Sequence, residues 1–387
     1  MRRKTGSYVI STTGGEKVKA FIPDQLPPSP GLKFDEEHYD LLEKANRALG
    51  RLDGIAGLLP DVSLLVYQYV RKEALLSSQI EGTQSSLADL LLYESEEIPG
   101  VPVEDVQEVS CYVAAMTHGL KRLQSGFPLS LRLLKEIHTI LLTSGRGQSK
   151  SPGEFRRSQN WVGGSRPGNA IFVPPPPERV IDCLDALEKF LHGDPAPTPT
   201  LIKAALAHVQ FETIHPFLDG NGRLGRLLIT FLLCAEGALS EPILYLSLYF
   251  KTRRQGYYEW LQRVRTEGDW EGWLKFFLFG VLETAEQAAG TSKRIIRLHE
   301  QDISCISALG RAAPSSLQLY RLLQVKPVLT IAHAAKELKT TVPTVTGSFR
   351  HLQELNIVRE ITGKQRGKIF AYDTYLEILK HGTEPIA

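Results

Sequence analysis

From Phe34 onward, apolar residues recur at three- and four-residue spacing in stretch after stretch, the period of a helix that buries one face. This pattern predicts helices over 36–49, 63–80, 87–93, 103–123 and 130–142, most of them separated by Pro, Gly and Ser clusters. Helices are also predicted over 180–191, 200–214 and 223–233, and 282–309 reads as a polar helical connection. Before residue 34 the chain is irregular, with YVIST and VKAFIP as short extended pieces and LPPSPG as a breaker, so it is read as an arm laid over the body. Within 144–177, WV stands before GG and AIFV before four prolines; apolar β-formers bracketing glycines predict a hairpin. Beyond 310 the stretches LTIAHAAKELK and TTVPTVTGSFRHLQELNIV read as two helices joined by a short turn. Thr341 would cap the second and Pro343 suits its first turn. IVREITG and KIFAYD then alternate as strands around GKQRGK, which makes a wing. No repeat of fixed period is present, which excludes a solenoid.

The 387 residues exceed one ordinary compact core, and two or three domains are expected. With 45 basic and 43 acidic side chains, a net charge of +2 exerts no global pull on nucleic acid or anionic membrane. The four cysteines (Cys111, Cys183, Cys234 and Cys305) are far apart, in helical contexts and outside metal-ligand spacing, and read as buried thiols. Neither a secretory leader nor a membrane-length apolar run is visible, so a cytoplasmic setting is expected.

One stretch does not fit a packing pattern. Residues 211–226, FETIHPFLDGNGRLGR, place an imidazole, a carboxylate, an amide, two arginines and three glycines ahead of the apolar run LLITFLL. Gly220 and Gly222 let the backbone turn and approach a ligand closely. The loop feeds a helix N-terminus, which favours an anion, and Arg223 and Arg226 stand three apart on its first turn. A polyphosphate suits such a cradle, with Asp219 reconciled to it by a hard cation such as magnesium. His215 stands at the entrance with a pKa suited to taking a proton. Phe217 is assigned to the core.

HPFLDGNGRLGR resembles the signature of the Fic family, HxFx(D/E)GNGRxxR, and fills every defined position. The resemblance implies a protein adenylyltransferase that moves AMP from ATP to a Ser, Thr or Tyr hydroxyl of a target protein. By that resemblance His215 is the base and Asp219 the Mg2+ ligand. Asn221 would contact the α-phosphate, Gly220, Gly222 and Arg223 the phosphates, and Arg226 the γ-phosphate, with Leu224 and Gly225 completing the ATP-binding loop. Upstream, Ser77-Ser78-Gln79-Ile80-Glu81-Gly82 is similar to the inhibitory motif (S/T)xxxE(G/N) of many Fic proteins, in which the glutamate takes the second signature arginine. Ser77, Glu81 and Gly82 are the inhibitory residues by that match, and Glu81 and a phosphate would compete for Arg226. The hairpin resembles the family's flap, which holds a target segment in extended form, with Val162 and Gly163 near the nucleotide. Tyr258 is the candidate for bounding the adenine, while Arg265 departs from the asparagine of some relatives.

The expected fold is mainly α: a helical Fic core with a small β-hairpin flap and a C-terminal winged helix. Expected bounds are 1–100 for an N-terminal helical region, 101–285 for the catalytic core, 286–310 for a helical linker and 311–387 for the winged helix. Self-modification and a homodimer are compatible with this picture, and no membrane partner is expected. Winged helices also bind DNA, so the alternative is a DNA-binding regulator whose Fic core senses nucleotide. Arg350, His351, Lys364, Arg366 and Lys368 would be its contacts, but Glu354 stands among them and positive charge is sparse.

Overall fold

The computed structural model describes residues 3–57, 62–94, 102–363 and 367–385. Two antiparallel strands open it, β1 Gly6–Thr13 and β2 Glu16–Pro23, turning at Gly14 and Gly15, both at positive φ. Residues read as a loose arm are therefore a hairpin. Its second strand is fastened to the body where Phe21 N–H donates to Val173 O at 2.9 Å.

The helical body follows as α1 Glu36–Gly57, α2 Val62–Ile80, α3 Leu87–Glu94, α4 Val103–Gln124, α5 Leu131–Leu141, α6 Pro177–Leu191, α7 Thr200–Ile214, α8 Asn221–Ala235, α9 Ser247–Thr252, α10 Arg254–Glu267 and α11 Trp270–Ser307. Side-chain caps start several of them. Asp35 accepts from His38 N–H ahead of α1, Ser130 from Leu133 N–H ahead of α5, and Asp269 from Gly272 N–H ahead of α11. Helix α7 has no solvent face: every residue from Leu201 to Ile214 is buried, so it is the centre around which α6, α8, α10 and α11 pack. Two of its polar groups are paired, Lys203 Nζ with Glu236 Oε1 at 2.7 Å and Gln210 Nε2 with Asp24 O at 2.9 Å, while Glu212 Oε1 has no hydrogen-bond partner.

Helix α11 runs unbroken for 38 residues, packed along α1. The expected boundary between core and linker at 285/286 falls inside it, where Ala285, Ala288 and Ala289 are buried; the periodicity simply continues. The boundary expected at 100/101 lies outside the described residues. Of the four cysteines Cys183 is buried, but Cys305 is exposed on α11, contrary to the expectation of buried thiols.

The C-terminal unit comprises α12 Ala313–Val325, β3 Val328–Thr330, α13 Ile331–Glu337, α14 Val342–Glu354, β4 Arg359–Glu360, β5 Ile369–Ala371 and α15 Asp373–Lys380. Its sheet has the order β3-β5-β4, all antiparallel, and Thr341 caps α14 as expected. Strand β3 has three residues, too few for an alternation to register in the sequence. Lys364 and Arg366 lie outside the described residues. Past α15, the segment 381–384 is strapped to the body. Lys72 Nζ donates to His381 O at 2.8 Å, Lys251 Nζ to Gly382 O at 3.1 Å and to Glu384 O, and Gln79 Nε2 to Thr383 O at 2.8 Å.

Between α5 and α6 the chain reverses as expected, but the reversal closes on one antiparallel bridge, Val162 with Phe172, instead of two strands. A short 3-10 turn at Pro167–Asn169 and the glycines at 163 and 164, both at positive φ, take up the residues between.

Candidate active site

Helix α7 delivers His215 at its end, in the left-handed conformation at φ 48°. The chain then loops to Gly220, also left-handed at φ 76°, and α8 starts at Asn221, two residues before the predicted start. Asn221 explains the turn. Its Oδ1 accepts from Phe217 N–H and its Nδ2 donates to Phe217 O, both at 2.9 Å, so both ends of the amide pin the loop. The amide therefore shapes the loop, and Asn221 still lines the cleft, with a second Nδ2 hydrogen beyond the one given to Phe217 O. Phe217 is buried as expected, stacked on His138 with centroids 3.7 Å apart.

The loop is held from outside as well. His138 Nδ1 accepts from Gly153 N–H at 2.8 Å, which leaves Nε2 to donate to Asp219 O at 3.0 Å. Arg156 donates to the carbonyls of His215, Ile214 and Pro175 at 2.9, 3.3 and 2.5 Å. None of this support was found from the sequence. Arg156 lies in a polar, glycine-rich loop that offers no periodicity, and a lone buried arginine carries no motif.

A cleft of about 250 Å3 opens over the loop, lined by His215, Leu218, Asp219, Gly220, Asn221, Gly222 and Arg223 on one side and Glu81, Glu108 and Arg146 on the other. Arg223 is 4 % exposed, and its Nε and Nη1 have no hydrogen-bond partner. Such unsatisfied buried donors are costly unless something binds them. Glu108, buried on α4, balances the charge: it lies 3.7 Å from Arg223 and accepts from Arg146 Nε at 2.6 Å. Neither Glu108 nor Arg146 was a sequence candidate; Glu108 beside the buried Val109 and Tyr112 was the available hint.

Asp219 is the half-exposed carboxylate in the cleft, fixed by Gly220 N–H at 2.6 Å. Among the described residues no three His, Cys, Asp or Glu side chains cluster as a metal cage. A single carboxylate beside a phosphate cradle fits a magnesium ion that takes most of its ligands from phosphate and water.

His215 Nδ1 faces Glu212 O at 3.3 Å; a carbonyl only accepts, so Nδ1 carries the hydrogen and Nε2 is left with its lone pair. Burial, then Arg265, pushes the His215 pKa down to about 4, so the imidazole is neutral near pH 7. Glu212 beside it is pushed up to about 7 by burial.

Glu81 and Arg226 meet as an ion pair at 2.7 Å. Arg226, 2 % exposed, also donates through Nε to Ser77 Oγ at 2.8 Å and through Nη2 to Ser77 O at 2.9 Å. Burial works against the Glu81 carboxylate, but Arg226 outweighs it and holds the carboxyl below its ordinary pKa. Gly82, at φ 100°, closes α2 behind them. A Cβ on Gly222 would stand 2.2 Å from Glu81 Oε1, so the glycine is what lets the carboxylate reach α8.

Other sequence candidates fall outside the cleft. Leu224 is fully buried and its N–H is spent on Gly220 O, while a Cβ on Gly225 would meet Glu212, away from the opening. Tyr258, 39 % exposed, lies under the Arg254 guanidinium at 5.5 Å, and Arg254 caps Ile80 O. Val162 and Gly163 sit at the bridge of the reversal. Arg265 is buried, donating to Thr213 Oγ1 and Glu212 O and covering the Phe172 ring at 4.1 Å, so it braces α7. In the C-terminal unit Arg350 is drawn to Glu354, 3.8 Å away on the same helix, which weakens the basic face a DNA site needs.

Residues 39–121 match the model of the Fic/DOC family N-terminal segment and residues 128–233 that of the Fic/DOC family itself. The chain carries a Fic domain. Protein adenylyltransferase Fic of Culex quinquefasciatus is 30 % identical over 70 % of this chain and 51 % of its own length, and that of Aedes aegypti 32 % over 63 % and 46 %. The chain thus spans about half the length of the curated relatives it matches. In fold it is similar to a Fic family protein from Desulfovibrio desulfuricans, with a TM-score of 0.58 at 18 % identity over 88 % of this chain and 97 % of that one. A Fic domain containing signaling protein from Bacteroides thetaiotaomicron aligns with a TM-score of 0.52 at 19 % identity over 65 % and 98 %. No helix among the described residues is long and apolar enough to cross a membrane.

Burial also sets the pH dependence of this Fic chain's stability. His138, His215 and His299 are pushed down to about 4 and His208 to about 3, so acid protonates them in the unfolded chain first and destabilises the fold. Glu73 and Glu212, pushed up to about 7, act in the opposite sense as pH rises from 4.5, but they are outnumbered. The thermal midpoint is therefore expected to rise between pH 4.5 and 6.5, as scanning calorimetry in a buffer series would measure.

Proposed function

We propose that this chain is an autoinhibited protein adenylyltransferase, transferring AMP from ATP to a hydroxyl of a target protein. The observation that carries this is the cleft itself: a neutral His215 with a free Nε2, beside a buried Arg223 whose Nε and Nη1 have no hydrogen-bond partner. His215 Nε2 takes the proton of the target hydroxyl, whose oxygen bonds to the α-phosphorus while the bond to the β-phosphate oxygen breaks and pyrophosphate leaves. Arg223 binds the phosphates, with Gly220 and Gly222 allowing their close approach. Magnesium, which Asp219 would hold, supplies neutralisation of phosphate charge.

Inhibition follows from competition for one guanidinium. Arg226 paired with Glu81 is not available to the γ-phosphate, and freeing it requires the 2.7 Å pair to open. The target segment would lie extended along the reversal at Val162, its hydroxyl directed to His215. The C-terminal unit is proposed as a winged helix with a docking or structural role, given the pairing of Arg350 with Glu354.

Transfer of AMP and transfer of phosphate are separated by the position of the label. With a Glu81→Gly protein, ATP labelled at the α-phosphate is expected to mark protein, and ATP labelled at the γ-phosphate is not. The reverse outcome sinks adenylylation.

A further inference from the structure

A second cavity is remote from the cleft. It measures about 880 Å3 and lies where α2 and α11 of the body meet α12, α13 and α15 of the C-terminal unit. One face of α11 forms its floor, since Ser292, Ile295, Ile296, His299, Glu300 and Ile303 follow helical spacing. Leu65, Leu322, Val325, Leu338 and Tyr375 enclose it. Its lining is mostly apolar, although Gln318, Gln324 and several charged side chains also border it, and its size is in the range of a pocket for a small molecule.

Two features indicate what it takes. His299 is set among aromatic rings, 5.2 Å from Tyr375 and 6.1 Å from Tyr320, and its buried Nε2 has no hydrogen-bond partner. A buried polar atom of this kind is unfavourable unless a ligand satisfies it. At the rim Arg321 and Glu300 each lack an ion-pair partner among the described residues, and their opposite charges leave no net field to select an ion. Glu337 is already neutralised by Lys326 at 2.9 Å and His333 at 3.2 Å.

We propose that this cavity binds an uncharged, largely apolar small molecule carrying one hydrogen-bonding group, which pairs with His299 Nε2. Because the His299 pKa is pushed down to about 4 by burial, the imidazole stays uncharged under ordinary conditions and does not call for an anion. The site is independent of the adenylyltransferase assignment.

The full-length protein titrated with Nile red, a neutral polarity-sensitive dye with one carbonyl, tests this. Saturable, blue-shifted fluorescence with one site per chain is expected. Ile296→Trp and Ile303→Trp, which fill the cavity, should each weaken it by about tenfold or more, and His299→Phe by about three- to tenfold. Ile303 is 43 % exposed, so its substitution does not threaten the fold, and an unchanged thermal midpoint verifies that. Absence of saturable binding, or equal affinity in both tryptophan variants, overturns the site. Equal affinity in His299→Phe overturns the pairing, and preference for the anionic dye anilinonaphthalene sulfonate overturns the ligand class.

Discussion

Glu81→Gly is expected to raise AMP incorporation into target protein, and into the chain itself, by between about 5- and 150-fold, the usual span of a coupling between two sites. The 2.7 Å pair is the reason. Arg226 is almost fully buried, held by Ser77 on one edge and by Glu81 on the other, and only the second contact is exchangeable with a phosphate. Removing the carboxylate leaves a guanidinium facing the cleft with Ser77 still orienting it. The fold should lose about 1–3 kcal/mol for the unpaired group, a smaller effect than the gain in turnover. Radiolabel incorporation at saturating ATP measures the first, urea titration the second. Unchanged incorporation would remove Glu81 from the control of this protein.

His215→Ala, placed in the Glu81→Gly background, should lower that incorporation by about 10²- to 10⁴-fold, the contribution of a positioned general base. Its backbone is the more delicate part. Arg156 and Asn160 grip the His215 carbonyl at 2.9 and 3.4 Å, and alanine keeps that carbonyl, so the loop is expected to stay in place. Alanine at φ 48° is nevertheless strained, which makes His215→Asn the cleaner companion variant, since asparagine tolerates that region. ATP binding measured by calorimetry should survive in both. With His215 held neutral, wild-type turnover is expected to keep its acid limb below about pH 5 instead of near the ordinary histidine value of about 6.5.

How far these residues were readable before the fold was seen depends on what marks them. Repeated apolar spacing marked α2, α4, α5 and α7 to within a residue or two, because each buries a stripe or more against neighbours. The dense run from His215 to Arg226 marked the cleft, and Ser77 and Glu81 joined it from 149 and 145 positions upstream of Arg226, with which both pair. What that run did not disclose is that the Asn221 amide also closes the loop onto Phe217. His138, Glu108, Arg146 and Arg156 escaped notice because each is a single polar residue whose partner is distant in sequence. Backbone hydrogen bonds of the kind Arg156 makes leave no trace in residue order.

The strap at 381–384 has a bearing on how this architecture can be rebuilt. Lys72 and Lys251 are buried ammonium groups, both pushed down to about 8 by burial, and the carbonyls of the strap are their acceptors. A chimera that exchanges the C-terminal unit for one from another protein would strand two lysines in an apolar wall unless the incoming segment presented carbonyls at the same places. The same strap touches Gln79, within the turn that carries Glu81. Modular as it looks in outline, the C-terminal unit is grafted onto the helix that guards the cleft, and the two have to be inherited together.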